Sequence, residues 1–551
     1  MDVQVEGWLT RAARMRPHGV AVESLDGART YAQLQARARA GARALAQRGA
    51  QRGDRVAIAL PPGLAFAEAL HACLLLGAVA VPVDLRLGPG ERARVCQGTA
   101  LVVEDDLAEW MLDARDCDRG AGAGARTDAS AEHTDASADT SATDTDASAD
   151  DTAASPDDTD TSATDTAASP DDTDTSTDDK DANADDTDET HDLDAVAAII
   201  HTSGTTSAPR PIELTYGNFL WSALGSAVAL DLDPRERWLC ALPLAHVGGL
   251  SILVRSAIYA TTAVVHPGWD TERVLDALRA DGERGITLVS LVATTLARLL
   301  DAMPASPWRP PRLRWALTGG GPVPQALIAR AHEAGVPVST TYGLTEACSQ
   351  VTTGGPPLFC TRVRIDGVAN GLEGAAGSAG GADGGADGDG DGAGGADGDG
   401  EGEGGARDYG REGEILVAGP TVARGSRDAD GWLHTGDLGV LDEHGNLRVT
   451  GRAADTIVSG GENVAPAEVE AALEAHPDVL EAAVFARGDA TWGEAVTAIV
   501  VVRPGIELAE EALRVHCSGL LARYKVPKRF ELSQTPLPRT RSGKLLRREL
   551  T

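Results

Sequence analysis

The stretch Thr202-Ser203-Gly204-Thr205-Thr206-Ser207-Ala208-Pro209-Arg210 has the residue types needed to hold a highly charged anion. It follows Ala195-Val196-Ala197-Ala198-Ile199-Ile200, an apolar run that reads as a buried strand. Small hydroxyl residues around a glycine, just past a strand, let backbone N–H groups and side-chain hydroxyls converge on one anion. Arg210 adds a fixed positive charge. The pattern is not the Walker loop, which requires G-x-x-x-x-G-K-[ST] and an immediate helix. The chemistry it implies is polyphosphate binding.

Two further clusters suit a nucleotide. In Thr341-Tyr342-Gly343-Leu344-Thr345-Glu346, an aromatic beside a glycine offers a face to a purine. The Thr345-Glu346 pair offers a hydroxyl to phosphate and a hard oxygen ligand to Mg²⁺. In Trp432-Leu433-His434-Thr435-Gly436-Asp437, a carboxylate on a tight glycine turn can accept both ribose hydroxyls. The chain has only four lysines (180, 525, 528, 544) against 45 arginines, so a lysine after Ser542-Gly543 reads as a compact point charge reaching into a site.

Together these segments resemble the adenylate-forming superfamily of acyl-CoA synthetases, luciferases and adenylation domains, whose phosphate loop is written T-S-G-T-T-G-x-P-K-G. Ser207, Arg210 and Pro211 depart from it, replacing Gly, Lys and Gly. The resemblance covers essentially the whole chain outside two insertions. It implies that Thr202, Ser203, Gly204, Thr205, Thr206 and Arg210 bind phosphate, Tyr342 lies near adenine, Thr345 contacts the α-phosphate, and Glu346 holds the metal. Asp437 and Arg452 would bind ribose. Lys544, in Arg539-Thr540-Arg541-Ser542-Gly543-Lys544, would bridge the attacking carboxylate and the α-phosphate. Ser459, Gly460 and Gly461 would border a pantetheine arm. The substrates and cofactors implied are ATP, Mg²⁺ and CoA, in an AMP-forming acid–thiol ligation. Gly451-Arg452 matches the segment opening the family's hinge, but Ala454 stands where Asp or Lys is usual.

The run from Trp238 to Ser256 is similar to o-succinylbenzoate–CoA ligases of menaquinone biosynthesis: Pro243-Leu244-Ala245-His246, then Gly249-Leu250-Ser251-Ile252-Leu253, then Arg255. That acid has two carboxylates, and the one that does not react needs a partner. Arg255 is the candidate, by charge-assisted contact. His246 would line the pocket and join Lys544, Thr345 and Glu346 around the reacting atoms, with Gly319 and Gly320 leaving room for the aromatic ring. Another acyl- or aryl-CoA ligase would share every other motif. A peptide-synthetase adenylation domain fits less well, and an acidic scaffold with a decayed core is the reading from a different class.

These residues need elements to position them. Short apolar runs at 20–22, 56–60, 78–83, 237–243, 262–265, 286–290 and 313–318 read as strands. Helices read at 7–15, 31–49, 64–76 and 217–229. The alternation implies an α/β fold with parallel-rich sheets. A β-rich subdomain begins near Glu414. Past Arg452 comes a compact α+β unit, with helices at 466–475 and 508–523 and strands at 479–485 and 496–502. The expected domains are 1–451, binding ATP and the acid, and 452–551, a small mobile lid.

The net charge of −34 belongs to the insertions. Residues 127–194 hold 24 acids and one Lys, and residues 371–410 hold ten acids and one Arg, leaving −2 for everything else. The first tract repeats Asp151–Ser162 as Asp165–Ser176, and the second alternates Gly with Asp and Ala. With so few apolar side chains, both are expected to be disordered, over about 119–192 and 371–409. An EF-hand loop from Asp387 would put Gly398 where a bidentate Glu is required, so calcium binding is not expected. Seven scattered cysteines without a C-x-x-C pair, and an N-terminus without a signal peptide's apolar core, imply a cytoplasmic protein. Small-molecule substrates are the expected partners, with neither nucleic acid nor membrane; a homo-oligomer stays open.

Overall fold

The computed structural model describes residues 3–107, 190–202, 210–304, 308–321, 323–367, 410–459, 462–489, 492–539 and 545–550. By contacts the chain divides into 115–185 and the remainder, and every described residue belongs to the second unit. The tract expected at 371–409 lies outside the described residues, as does the first tract up to residue 189.

Two sheets dominate. The five-stranded one runs in the order Leu101–Val103, Arg55–Ile58, Val79–Pro82, Val196–Thr202, Arg210–Thr215; its first four strands are parallel and the last is antiparallel. The eight-stranded one runs Ser349–Thr353, Val338–Leu344, Trp315–Thr318, Leu288–Leu291, Arg237–Cys240, Thr262–Val265, Val20–Ser24, Gly27–Thr30, parallel throughout except at its two ends. The helices Tyr31–Gln47, Leu64–Leu76, Tyr216–Leu230 and Val247–Tyr259 share one apolar core with strands of both sheets. Parallel sheets want cover on both faces, which is why these strands read as continuous apolar runs.

A four-stranded antiparallel sheet follows, of Arg362–Gly367, Gly413–Ala418, Leu433–Leu441 and Leu447–Arg452. The C-terminal part builds its own core, on a five-stranded sheet packed by Pro466–Glu474 and Glu510–Leu520. The α/β class, the β-rich subdomain and the small C-terminal unit are as expected. No helix among the described residues is long and apolar enough to cross a membrane.

One boundary needs correcting. The first insertion was expected to run to 192, but Thr190–Asp192 is a strand paired antiparallel with Gln4–Glu6. His191 holds it there. Its ring stacks on Tyr216 at 4.3 Å and meets Trp8 edge-on at 4.8 Å, and its Nε2 accepts the Trp8 backbone N–H at 3.3 Å.

Burial pushes the His71 imidazole down to about 4 and that of His191 to about 3, the latter helped by His71 and Arg52. Both are therefore neutral in the folded protein at pH 7. Below the unfolded-state value of about 6.5 the unfolded chain takes up protons that the native state refuses, so stability falls with pH until the native values are reached. Each group should cost roughly 2 kcal/mol between pH 7 and pH 5. Urea denaturation at the two pH values checks this. His71→Leu should lose less than the wild type on acidification, and equal losses would remove His71 from the account.

Candidate active site

Tyr342, Asp437 and Arg452 converge. Asp437 and Arg452 are cross-strand partners in the four-stranded sheet, and the Arg452 Nε donates to Asp437 Oδ1 at 2.8 Å. Tyr342 arrives from the eight-stranded sheet, and its hydroxyl donates to Asp437 Oδ2 at 2.8 Å. The Asp437 backbone is set by Thr435, whose Oγ1 accepts its N–H, while Glu414 accepts the Gly436 N–H. Among the described residues each Asp437 oxygen accepts one side-chain hydrogen bond, which leaves the buried carboxylate a lone pair on each for ligand hydroxyls. Burial, then the neighbouring Asp437 charge, pushes the Tyr342 phenol up, so it stays protonated and donating.

Thr345 and Glu346 occupy the short 3-10 turn Thr345–Ala347 at the end of strand Val338–Leu344. Ala423 N–H donates to the Glu346 carbonyl at 2.8 Å. The half-buried Glu346 carboxylate makes no hydrogen bond or ion pair to a described residue. A carboxylate left without a cation beside a nucleotide site fits Mg²⁺, which commonly takes one or two carboxylates plus phosphate oxygens. Among the described residues no cluster of three or more His, Cys, Asp or Glu could hold a metal without such help.

Thr202 ends its strand and pairs directly with Arg210, which opens the next. Arg210, expected at the end of the phosphate loop, is the exposed first residue of strand Arg210–Thr215. Ser203, Gly204, Thr205 and Thr206 lie outside the described residues, as do Gly460, Gly461 and Lys544. Ser459 is buried, with a hydroxyl that has no partner among the described residues.

His246 occupies the N-cap position of the helix Val247–Tyr259, without a side-chain capping bond. Arg86 Nη2 lies 3.2 Å from its Nε2, with Asp84 at 3.9 Å. Because arginine can only donate, Nε2 accepts and Nδ1 carries the proton. Desolvation lowers the imidazole's pKa against the opposing pull of Asp84, with Arg86 adding to the lowering. His246 is thus a neutral N–H donor at pH 7.

Arg255 lies nine residues further along that helix, about 13 Å at the usual rise. Its side chain is buried, with the guanidinium 5.8 Å from the Trp238 ring centroid. Nη2 donates to Ser222 Oγ at 2.9 Å, while Nε has no partner and no carboxylate pairs with it among the described residues. Burial lowers its pKa.

The two glycines also answer to demands of the backbone. A Cβ on Gly319 would sit 2.4 Å from Thr341 Oγ1 and 2.5 Å from its carbonyl oxygen, so the neighbouring strand demands glycine there whatever the ligand. Gly320 is exposed with φ +79°, a backbone conformation that itself favours glycine.

Asp84, Arg86, Glu414 and Ser222 were missed. Arg86 is 160 residues from His246, and no spacing rule links them.

A model of the AMP-binding enzyme family matches residues 9–380. The chain belongs to that family. A second model, for the AMP-binding enzyme C-terminal domain, matches 468–544. This AMP-binding enzyme is 33% identical over 570 residues to a 2-succinylbenzoate–CoA ligase of Bacillus licheniformis, with 98% of each chain covered. It is 35% identical over 553 residues to one of Geobacillus kaustophilus, covering 98% of this chain and 96% of that one. Among solved structures it is similar to o-succinylbenzoate CoA synthetase from Bacillus subtilis in complex with the acyl-adenylate intermediate OSB-AMP. That likeness has a TM-score of 0.72 at 29% identity, covering 100% of this chain and 98% of the other. The same synthetase in complex with ATP and magnesium ion aligns with a TM-score of 0.71 at 29% identity.

Proposed function

We propose that this enzyme converts o-succinylbenzoate to its CoA thioester in menaquinone biosynthesis, in the cytoplasm, through an enzyme-bound acyl-adenylate. Curated ligases for that acid, matched over nearly the full chain, support the reading. The observation in this molecule that carries it is Arg255. A buried guanidinium without a counter-anion among the described residues is costly, and a substrate's second carboxylate offsets that cost. A monocarboxylate would leave it unpaired.

In the first step an oxygen of the reacting carboxylate attacks the α-phosphorus of ATP, and pyrophosphate departs with the electron pair of the broken P–O bond. Glu346, together with the triphosphate, would hold Mg²⁺, which would supply charge neutralisation there. Thr345 and Lys544 oppose the charge gathering at the α-phosphate, while Asp437 and Arg452 fix the ribose so that the oxygen and phosphorus start aligned. His246 donates its Nδ1 proton as a hydrogen bond to the acyl group. In the second step the CoA thiolate attacks the acyl carbonyl and AMP leaves.

Lys544 serves the first step, and the Ser459-Gly460-Gly461 face the second. The part beyond Ala454 therefore rotates between two poses about the segment containing that residue, while Arg452 stays with Asp437.

CoA- and ATP-dependent AMP release from o-succinylbenzoate, benzoate, coumarate and a medium-chain fatty acid tests the substrate. A kcat/KM for o-succinylbenzoate at least about 10²-fold above the others is expected, since an unpaired buried charge discriminates strongly. A monocarboxylate turned over as well would leave adenylation in place and remove the diacid from the proposal.

A further inference from the structure

We infer that Ser222 is a positioning residue that couples Arg255 at the acyl end to the turn bearing Thr345 and Glu346. Occupation of Arg255 by the second carboxylate would then speed adenylation as well as tighten binding. The inference rests on the reading above in which Arg255 receives that carboxylate.

The coupling is a continuous chain of buried hydrogen bonds. Arg255 Nη2 donates to Ser222 Oγ at 2.9 Å, and Ser222 Oγ donates to the Cys348 carbonyl at 2.6 Å. Arginine cannot accept, so the polarity is fixed: the single proton of Ser222 goes to Cys348 and a lone pair faces Arg255. Ser222, Arg255 and Cys348 are all buried, so no water competes for these groups. A serine inside a helix ordinarily turns its hydroxyl back to the carbonyl four residues earlier or out to solvent. Here it reaches a backbone 126 residues away.

What it reaches is strained. Cys348 and Ser349 are consecutive non-glycine residues at φ +50° and +89°. Such backbone persists only where its surroundings over-determine it. The strand before the turn presses on it: a Cβ on Gly343 would lie 1.8 Å from the Ser349 carbonyl oxygen. The Cys348 N–H donates to the Thr345 carbonyl at 3.0 Å, so the residue held by Ser222 also closes the turn carrying the phosphate and metal ligands.

The same helix, Tyr216–Leu230, braces the turn from its other side. Asn218, one turn before Ser222, donates through Nδ2 to the carbonyls of Pro420 and Val422. The next residue, Ala423, holds the Glu346 carbonyl. Asn218 fixes the helix to the turn independently of substrate. Ser222 adds the branch that ends on the substrate-facing cation. A guanidinium fixed by a carboxylate fixes the hydroxyl, and the hydroxyl fixes Cys348.

The test compares Ser222→Ala and Ser222→Thr with the wild type in ATP–pyrophosphate exchange, varying o-succinylbenzoate and Mg²⁺ separately. Ser222→Ala should lower kcat by about tenfold with KM for the acid within about threefold, the split expected when an interaction acts in the transition state. The Mg²⁺ concentration for half-maximal rate should rise several-fold, because Glu346 is less well placed. Ser222→Thr, which keeps the hydroxyl, should recover most of the rate. Melting temperatures accompany each variant; if alanine folds poorly, Ser222→Cys, a weak donor of similar size, reads the same split. A raised KM with unchanged kcat, or a folded threonine variant as slow as alanine, would overturn the relay. The two failures are distinguishable. A wild type that prefers a monocarboxylate removes the diacid reading. A wild type that prefers the diacid while Ser222→Ala keeps its kcat removes the relay.

Discussion

Replacing Lys544 with alanine is expected to slow ATP–pyrophosphate exchange by about 10²–10³-fold, the usual loss when one preorganised donor to a developing charge is removed. Thioester formation from a pre-made acyl-adenylate should stay within about twofold of the wild type. The asymmetry follows from the two poses proposed for the small domain, only the first of which brings this lysine to the α-phosphate. A general loss of structure would mimic the first half of the result, but the neighbours of Lys544 argue against it. Before it, Arg539 Nη2 pairs with Glu481 at 2.8 Å, and Arg539 forms a β-bridge with Leu545. After it, Leu546 N–H donates to the Pro538 carbonyl, and Arg547 binds both Glu470 oxygens and the Val484 carbonyl. The segment is therefore anchored on both sides by groups that the substitution leaves alone. Rapid-quench measurement of each half-reaction separates the two steps. Equal losses in both would end the division of labour between Lys544 and the Ser459-Gly460-Gly461 face.

Much of this architecture was legible because parallel strands buried on both faces leave short apolar runs bounded by turns. Val79–Pro82, Thr262–Val265 and Trp315–Thr318 all carry that mark. The helix Val247–Tyr259 was not assigned, and its burial explains why. Apart from Gly248 and Tyr259 every residue in it is buried, so no polar face advertises a helical period. Motifs named Tyr342, Asp437 and Arg452 separately, each with its own part of the nucleotide. They did not reveal that Asp437 is clamped by the other two, because Tyr342 is 95 residues from it and on another sheet. Thr190–Asp192 was hidden for a different reason: it ends an acidic tract, and composition outvoted the one histidine that fits between Trp8 and Tyr216. Gly319 shows the opposite failure. The motif singled out the residue for a ligand's sake and could not show that the carbonyl oxygen of Thr341 on the neighbouring strand lies 2.5 Å from where its Cβ would be.

Arg255→Met should move function and stability in opposite directions. KM for o-succinylbenzoate is expected to rise by about 30- to 10³-fold, the range seen when one partner of a buried, hydrogen-bonded charge pair is truncated. The KM of a monocarboxylate should hold or fall, since nothing in it addresses the guanidinium. Meanwhile the free enzyme should melt at the same temperature or higher. In the described residues Arg255 has a serine hydroxyl and an aromatic neighbour but no anion, and its Nε is unsatisfied. Replacing a desolvated, uncompensated cation with an apolar side chain of similar length removes a cost without leaving a hole, and methionine keeps a contact with Trp238. An arginine that only supported the core would behave otherwise: its loss would lower the melting temperature and depress kcat for every acid alike. Arg255→Lys refines the reading, because an ammonium retains the charge but not the planar fork that can hold Ser222 and a carboxylate together. It should recover part of the binding and less of the rate. Steady-state kinetics on a diacid and a monoacid, beside thermal melts without substrate, therefore separate a receptor kept at the expense of stability from a structural residue.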